Sequence, residues 1–395
     1  MIIPIIEASS SNGTDIHRLL SIGGQLLVYI SNSTTQKKSF ENAILRRARC
    51  VAGPFSANRV TESFEWLENG STYVMIDVRS VEDVKLLTES GLPKNRTMAF
   101  VSFDENVSIL ADKVSSLVSG VYVRVKDTSC VTKDFMHKVK NICGVVVLED
   151  KIVPLSEIKR LNDVHIQVAC RCTPEYLGKG IVSCIRSDRP DGLYTTVVVN
   201  RLGIALGLVY SSKESVVEAV KTGQGVYYSR SRKGLWRKGA TSGATQTLYH
   251  VDFDCDGDAL RFHVEQHGDP PAFCHLKTMT CWGEQNGLGA LEQTLMSRKR
   301  SAPPKSYTKR LFDDPKLLRQ KLLEEANELS EAKSKDHVAA EAADVFYFAM
   351  VACARAGVTL ADVCEKLDAR SMKIKRRPGN AKSAEERKKW ESAVE

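Results

Sequence analysis

At 395 residues the chain is too long for one ordinary hydrophobic core, so two or three domains are expected. A hydrophobic fraction of 43% excludes a largely disordered chain, and a formal net charge of +8 suits phosphorylated ligands or nucleic acid without identifying either. No apolar run reaches the length of a membrane span, and no secretory signal is expected. The eleven cysteines form no disulfide-like framework, so we expect a reducing, cytoplasmic location.

Residues 1–170 alternate short apolar runs with segments of helical spacing. Buried strands are expected at 26–30, 73–78, 97–103, 121–125 and 144–148, and helices at 81–91 and 134–144. This alternation predicts an α/β domain with a largely parallel sheet. The segment has no phosphate loop and no cluster of metal ligands, so its role is not indicated.

Residues 171–297 have the pattern of an α+β domain. The run "TTVVV" follows a turn signal, and residues 203–210 and the segment "VYYSRSR" also have the composition of strands. Ser211 and Glu214 match the spacing of a capping box, so a helix is expected after them, ending at Gly223.

The last part of the chain is predicted to be all-α. Residues 298–309 are basic, contain two prolines and lack periodicity, which indicates a linker. Helical spacing then covers 310–382 and stops at Pro378 and Gly379, and residues 383–395 form a charged tail.

The segment "VDFDCDGDA" places four aspartates within nine residues. In a regular strand they would share one face, about 7 Å apart, and would repel one another unless a divalent cation such as Mg²⁺ or Ca²⁺ lay between them. A solvated acidic turn at Asp256 and Gly257 is the alternative. The apolar face switches after Asp258, which predicts a bulge or bend near Gly257.

Cys255 lies inside this acidic segment, and Cys274 and Cys281 follow, with His275 beside the first of them. Three thiolates make an incomplete tetrahedral set for zinc that leaves one position for water. Buried structural cysteines are the alternative.

A basic loop lies between the predicted strands. Its arginines, hydroxyl groups and glycines suit phosphate oxygens, and a solvated hairpin or a nucleic-acid patch is the alternative. The candidate substrate-binding residues are Ser229, Arg230, Ser231, Arg232, Trp236, Lys238, Thr241 and Ser242.

The segments "SRSRKGLWRKGATSG", "DCDGDAL" and "VEQ" and the "CH…C" pair occur in that order, and together they resemble phosphoribosyl-AMP cyclohydrolase of histidine biosynthesis. The resemblance implies Mg²⁺ on Asp254, Asp256 and Asp258. It also implies zinc on Cys255, Cys274 and Cys281, a zinc site shared across a homodimer, and His275 as a candidate proton shuttle. The segment "HLKTMT" departs from the family's usual "HTGRxS".

Two predicted helices near the C-terminus place carboxylates among their apolar stripes. Glu325 lies within a stripe that includes Leu322 and Leu329, and Glu341 lies within the stripe of the next helix. Facing helices that present carboxylates inward are a known route to divalent-metal sites. An amphipathic hairpin with ordinary surface glutamates is the alternative.

The pattern EExxE followed by ExxD resembles the all-α nucleotide pyrophosphatases related to MazG. With "LFDDP", "LLEEANEL", "EAADVFYF" and "RRPGNAK", residues 308–382 more specifically resemble phosphoribosyl-ATP pyrophosphatase. The resemblance implies Mg²⁺-binding carboxylates, with Glu325 and Glu328 in catalytic roles and Lys321 able to meet phosphates. The implied metal ligands are Glu324, Glu325, Glu328, Glu341 and Asp344.

The two resemblances together predict a bifunctional hydrolase that takes phosphoribosyl-ATP to phosphoribosyl-AMP and then opens the adenine ring. The expected partners are these small molecules and a second copy of the chain, with neither nucleic acid nor membrane. A general nucleoside-triphosphate pyrophosphatase with a metal-binding accessory domain is the alternative, and a nucleic-acid-binding module is a third class. The long N-terminal region resembles that of the fungal multifunctional histidine-biosynthesis proteins, and the histidinol dehydrogenase activity of that family is not expected within these residues.

Overall fold

The computed structural model describes residues 2–7, 19, 25–30, 49–132, 134–135, 143–149, 152–269, 271–283 and 286–374. They form an N-terminal barrel, a mixed-sheet region and a helical C-terminal region. The predicted tail at 383–395 and most of the helix predicted at 134–144 lie outside the described residues, and Cys143 and Gly144 belong to a strand.

Eight parallel strands close into a barrel in the N-terminal region. Each strand pairs with the next along the chain, and the first pairs with the last through Ile2 and Val168. This is the strand order of a TIM barrel. The strands are β1 (Ile2–Glu7), β2 (Gln25–Tyr29), β3 (Arg49–Ser56), β4 (Tyr73–Asp77), β5 (Thr97–Ser102), β6 (Gly120–Arg124), β7 (Cys143–Leu148) and β8 (Gln167–Cys170).

Successive residues of each strand face opposite sides of the barrel wall. Met98 and Phe100 of β5 belong to the core inside the barrel, whereas Ala99 and Val101 belong to the core outside it. Both faces are buried, which explains why these strands are continuous apolar runs in the sequence.

The parallel strands and intervening helices confirm the predicted parallel sheet, but its closure into a barrel was not part of the prediction. Three strands, β1, β3 and β8, were absent from the prediction. Strand β3 contains Gly53 and Pro54 at a register shift, residues that argue against a strand, and β8 has only four residues. Because these three strands were missing, the sequence analysis could not recognise the eight strands of a closed barrel.

The described barrel helices lie outside the wall. They are α1 (Val60–Glu68), α2 (Val81–Glu89), α3 (Val107–Ser115), α4 (Leu155–Asn162) and α5 (Pro174–Cys184). Helix α5 packs both against the barrel and against the first helix of the next region. The outer barrel core and the core of the mixed sheet are therefore continuous, although the predicted boundary at residue 170 separates them.

The middle region is a six-stranded mixed sheet with one helix, as the α+β prediction requires. The elements are β9 (Tyr194–Val199), β10 (Ala205–Ser211), α6 (Lys213–Thr222), β11 (Val226–Ser229), β12 (Gly234–Arg237), β13 (Gln246–Phe253) and β14 (Ala259–Gln266). The strand order in the sheet is β12-β11-β10-β9-β14-β13, and among these strands only β9 and β14 pair in parallel.

Helix α6 starts one residue later than predicted. Its N-cap is Ser212, which forms a capping box with Ser215, whereas Ser211 ends strand β10 and its hydroxyl accepts a hydrogen bond from Thr196. The predicted box of Ser211 and Glu214 is therefore wrong, because the local motif tolerates a shift of one residue. Gly223 ends the helix in the left-handed conformation, as predicted.

Five helices form the C-terminal region. They are α7 (Gly287–Ser301), α8 (Tyr307–Asp313), α9 (Pro315–Glu331), α10 (Lys335–Ala356) and α11 (Leu360–Ser371). The predicted linker at 298–309 is mostly helical, since it spans the end of α7 and the start of α8. Helix α10 is long and apolar enough to cross a membrane by length and composition, but it packs beside α9 and carries Glu341 and Asp344.

Candidate metal sites

The acidic segment forms a hairpin turn. Strand β13 ends at Phe253 and β14 begins at Ala259, so the residues between them leave the ladder. Gly257 has a φ of +77°, a left-handed conformation that glycine adopts at little cost. The predicted bend near Gly257 is present, but the expected single strand face with four aspartates is wrong.

The turn brings three carboxylates together. One oxygen each from Asp254, Asp256 and Asp258 lies within 4.8 Å of the others. Asp254 Oδ1 accepts hydrogen bonds from the backbone N–H groups of Gly257 (3.0 Å), Asp258 (3.0 Å) and Ala259 (3.2 Å). Asp254 therefore closes its own turn, and this closure holds the other two carboxylates beside it.

The electrostatics of this turn favour a cation. A hydrogen bond shared with Asp254 raises the pKa of Asp258, and the negative charge of Asp256 adds to the effect. Burial opposes ionisation of Asp254, but the backbone donors outweigh it and hold the pKa of Asp254 below its ordinary value. Three crowded carboxylates, whose mutual repulsion opposes ionisation of Asp258, fit the preference of Mg²⁺ for carboxylate ligands.

Two residues beside the acidic turn escaped the sequence analysis. Arg186 Nη2 lies 3.4 Å from Asp256 Oδ2, and the Arg186 N–H donates to the carbonyl of Gly257 at 2.9 Å. The negative charge of Asp188 also contributes to the raised pKa of Asp258. The sequence analysis used this part of the chain only for the turn signal before the run "TTVVV". The alternating charges of Arg186 and Asp188 were a signal that could have identified both residues.

Asp252 does not join the other aspartates. It lies on β13, where its carboxylate accepts hydrogen bonds from His250, from His263 at 2.9 Å and from Arg261 at 2.6 Å. Burial opposes its ionisation, but these donors hold the pKa of Asp252 well below its ordinary value. Three of the four aspartates therefore form the cluster, and the fourth, Asp252, is ion-paired on the strand instead.

Cys274 and Cys281 lie close together at the two ends of one loop. The Cys281 N–H donates to the carbonyl of Leu206 on β10 at 2.7 Å, which holds the loop against the sheet. The backbone N–H of Leu276 lowers the pKa of Cys274, whereas burial and the neighbouring Cys274 raise the pKa of Cys281 to about 11. Two adjacent thiols, one of which has a lowered pKa, suit a zinc ion.

Lys238 lies beside these two thiols. Its side chain is buried, with Nζ 5.3 Å from the centre of the Phe273 ring and 5.8 Å from that of Trp236. Burial lowers the pKa of Lys238, and the charges of the two cysteines oppose that shift. The predicted phosphate-binding loop and the predicted zinc cysteines therefore meet at this lysine.

The three predicted zinc ligands do not form one compact group in a single chain. Cys255 is exposed in the acidic turn, and within the described part of the chain the three sulfurs are not all within 4.8 Å of one another. His275 is exposed, and its Nδ1 lies 3.8 Å from Cys274 Sγ. One chain thus brings together two of the three predicted zinc ligands.

The basic loop is a surface hairpin. Strands β11 and β12 pair through Ser229 and Gly234, and the intervening Arg230, Ser231 and Arg232 are exposed at its tip. The Arg230 guanidinium lies 4.1 Å from the centre of the Tyr210 ring. Thr241 and Ser242 are exposed in the next loop, and Trp236 is half-buried. The loop forms a hairpin, and the phosphate ligand proposed for it stays a prediction.

A second carboxylate cluster joins helices α9 and α10. One oxygen each from Glu325, Glu328 and Glu341 lies within 4.8 Å of the others, and Glu325 is only 8% exposed. Burial and the neighbouring negative charges raise the pKa of Glu328. The two helices face each other, as the apolar stripes predicted.

Lys321 partly neutralises this second cluster, and His337 contacts it. Lys321 Nζ lies 2.9 Å from Glu324 Oε1 and 3.0 Å from Glu325 Oε1, and these contacts raise the pKa of the lysine. His337 Nε2, which the sequence analysis did not identify, lies 3.2 Å from Glu341 Oε1. Glu324 and Asp344 are exposed outside the three-carboxylate group.

Two family models match the two regions that carry the clusters. The phosphoribosyl-AMP cyclohydrolase model matches residues 207–283, and the phosphoribosyl-ATP pyrophosphohydrolase model matches residues 288–371. The first match contains the acidic turn, the three cysteines and the basic loop, and the second contains helices α8 to α11.

Curated relatives share both regions. A histidine biosynthesis bifunctional protein of Schizosaccharomyces pombe is 57% identical over 204 residues, which cover 52% of this chain and 48% of the relative. A histidine biosynthesis trifunctional protein of Saccharomyces cerevisiae is 36% identical over 387 residues, which cover 96% of this chain and 42% of the relative. The chain thus spans less than half the length of these fungal relatives.

A bacterial relative is matched over nearly its whole length. The histidine biosynthesis bifunctional protein of Shewanella oneidensis is 36% identical over 198 residues, which cover 48% of this chain and 92% of the relative. The two consecutive family matches and this coverage lead to one conclusion: the chain belongs to the family of bifunctional histidine-biosynthesis proteins that join a phosphoribosyl-AMP cyclohydrolase to a phosphoribosyl-ATP pyrophosphohydrolase.

Proposed function

We propose that this chain catalyses two consecutive hydrolyses of histidine biosynthesis. Phosphoribosyl-ATP and water would give phosphoribosyl-AMP and pyrophosphate, and a second water would then open the adenine ring of phosphoribosyl-AMP between N1 and C6. The observation that carries the proposal is the presence of one carboxylate cluster in each of the two matched regions. The mixed-sheet region matches the cyclohydrolase model, and the helical region matches the pyrophosphohydrolase model.

In the helical region, the proposed Mg²⁺ ligands are Glu324, Glu325, Glu328, Glu341 and Asp344. When bound, Mg²⁺ would neutralise the triphosphate and favour attack by water on phosphorus. Glu325 is buried and paired with Lys321, so its carboxylate has a set position. Glu328, whose pKa is raised, is suited to accept a proton from the attacking water.

In the mixed-sheet region, the proposed ligands are Asp254, Asp256 and Asp258 for Mg²⁺ and Cys255, Cys274 and Cys281 for zinc. Zinc, when bound, would supply a water of lowered pKa near the adenine ring. The hairpin and the loop that follows it would bind the substrate. The proposed substrate-binding residues are Ser229, Arg230, Ser231, Arg232, Trp236, Lys238, Thr241 and Ser242. His275 is exposed beside Cys274 and is placed to carry a proton between the site and solvent.

We further propose a homodimer in the cytoplasm. A second copy could supply the Cys255 that one chain holds away from Cys274 and Cys281. Helices α9 and α10 also expose apolar side chains, including Leu323 and Phe346, at 55% and 53%. The ten described free cysteines support a reducing compartment.

Complementation between two inactive variants tests the shared zinc site. Chains with Cys255→Ser and chains with Cys281→Ser, each inactive in ring opening, would be mixed after denaturation and refolded together. A mixed dimer would hold one intact ligand set, so random pairing predicts about a quarter of the wild-type ring opening. Pyrophosphate release should be unchanged throughout. Absence of recovery, with mixed dimers demonstrated by mass spectrometry, would contradict a shared site.

The alternative functions predict other outcomes. A general nucleoside-triphosphate pyrophosphatase would turn over ordinary dNTPs faster than phosphoribosyl-ATP. A nucleic-acid-binding module would bind oligonucleotides with an affinity that falls steeply with salt and does not depend on metal. Supplying phosphoribosyl-ATP while Mg²⁺ and Zn²⁺ are varied independently, and following both products, separates all three.

A further inference from the structure

The barrel mouth, at the carboxyl ends of the strands, changes from apolar to polar along the inward-facing positions. Met75 on β4 belongs to the core inside the barrel, and the next inward position is Asp77. Tyr122 on β6 is likewise followed by Arg124, and Val147 on β7 by Glu149. Polar residues thus cover an apolar core at the end of a parallel barrel where active sites are built.

Asp77 is the central observation. It is only 7% exposed, and its Oδ2 accepts hydrogen bonds from Arg79 Nε at 2.8 Å and Nη2 at 2.6 Å. Its Oδ1 is buried and receives no hydrogen bond from any residue that the structure describes. A buried carboxylate oxygen without a donor costs free energy, and it aims at the mouth because it continues the inward face of β4.

Side chains from β2, β6 and the end of β7 form a connected polar wall at the mouth. Glu149 Oε1 accepts hydrogen bonds from Arg124 Nε at 2.7 Å and from the hydroxyl of Tyr29. The Arg124 guanidinium also lies 4.4 Å from the centre of the buried Phe100 ring, which holds it against the apolar core.

These groups define the chemistry of a ligand. Arg79 and Arg124 each keep N–H donors beyond those that their carboxylate partners use, and planar guanidinium donors suit the oxygens of a phosphate. The acceptor Asp77 Oδ1 favours a hydroxyl donor on the same molecule. We propose that the barrel mouth is a binding site for a small phosphate ester that carries hydroxyl groups, of the sugar-phosphate class, held by Arg79 and Arg124 through its phosphate and by Asp77 through a hydroxyl. No residue of either hydrolytic site contributes to it.

Calorimetric titration of the full chain with ribose 5-phosphate tests this site. Chelator in the buffer removes divalent ions, which prevents phosphate binding through metal at the two carboxylate clusters. We expect a binding event that Asp77→Asn and Arg124→Gln each weaken at least about tenfold, as expected for loss of a hydrogen bond to a charged group. Binding at the basic loop would be a separate event that these two variants leave unchanged. Glu62→Gln is the matched control, because Glu62 pairs with Arg59 at 2.6 Å on an outer helix; it should bind as wild type.

Two further arms keep the outcome decisive. Arg79→Gln changes a side chain that is 73% exposed, so it tests the phosphate contact even if the Asp77 variant fails to fold. Inorganic phosphate should bind more weakly than ribose 5-phosphate, and ribose alone should not bind. Absence of binding to the wild-type chain, equal binding by the Arg79 and Glu62 variants, or equal affinity for inorganic phosphate and ribose 5-phosphate would each overturn the proposal.

Discussion

The acidic turn of the mixed sheet and the glutamate cluster of the helical region collect three carboxylates each, but by different means. In the turn, all three lie within five consecutive residues, and Asp254 holds them by accepting three backbone hydrogen bonds. In the helical region, Glu325 and Glu328 come from one helix and Glu341 from the next, so packing of two helices assembles the group. The first cluster depends on local backbone geometry and the second on tertiary contacts.

The difference predicts that metal ligands and structural residues overlap in the turn and separate in the helices. Loss of the Asp254 carboxylate from the turn removes backbone hydrogen bonds as well as a donor to the metal. A ligand lost from the helices removes a donor and relieves charge repulsion. Activity and stability should therefore change together in the first cluster and in opposite directions in the second.

The largest expected effect is on activity in the helical region. Glu325→Gln should reduce pyrophosphate release by about 100-fold or more, because a buried metal ligand is lost, while ring opening of supplied phosphoribosyl-AMP continues. Separate assays of the two reactions measure this. Glu331→Gln, an exposed change on the same helix, is the control. Equal loss of both reactions would contradict separate sites.

Metal removal should sharpen the comparison further. Dialysis against a chelator should abolish both reactions, and Mg²⁺ alone should restore pyrophosphate release. Ring opening should need Zn²⁺ as well, because the proposed zinc ligands Cys255, Cys274 and Cys281 belong to the sheet region. Full recovery of ring opening in Mg²⁺ from which zinc has been removed would refute the assignment of Cys274 and Cys281.

In the absence of metal, loss of a carboxylate should change stability in opposite directions in the two clusters. Asp254→Ala should lower the free energy of unfolding by about 1 kcal/mol, since exposed carboxylate-to-backbone hydrogen bonds are lost. Glu328→Gln should raise the melting temperature, because it removes one of several like charges. Urea and thermal unfolding in chelator measure both, with Asp256→Asn as the control. A destabilised Glu328 variant would be inconsistent with charge crowding.

The contribution of Asp254 should also depend on pH. Its pKa is lower in the folded chain than in the unfolded one, so its stabilisation is present at neutral pH. It should be lost as pH falls below about 4 and approaches the folded-state pKa. The stability difference between wild type and Asp254→Ala should therefore shrink in acid. A constant difference from pH 7 to pH 3 would exclude this origin.

The smallest expected effect concerns the turn backbone. Gly257→Ala should cost about 1 kcal/mol, because alanine disfavours a φ of +77°. Ring opening should fall with stability, and pyrophosphate release should not. Chemical unfolding and the two assays measure this. Unchanged stability would show that the turn adopts another conformation when alanine is present.

The sequence by itself determined the chemistry of both clusters and most of the elements around them. Asp254, Asp256 and Asp258 are neighbours along the chain, and Glu325 and Glu341 interrupt apolar stripes whose period indicates facing helices. Five of the eight barrel strands were predictable because strands buried on both faces are continuous apolar runs. These features depend on side chains a few residues apart, for which local rules suffice.

Only the tertiary structure decided the features that depend on distant residues. Barrel closure needs Ile2 to pair with Val168, and strand β3, with its Gly-Pro, has no clear strand pattern. Tertiary packing also decided three features of the candidate sites. These are the failure of Cys255 to group with Cys274 and Cys281, the position of Lys238 beside two of these thiols, and the burial of Asp77 at the barrel mouth. Each joins segments far apart in the chain, and their pairing is set by burial of shared apolar surface, which no local pattern records.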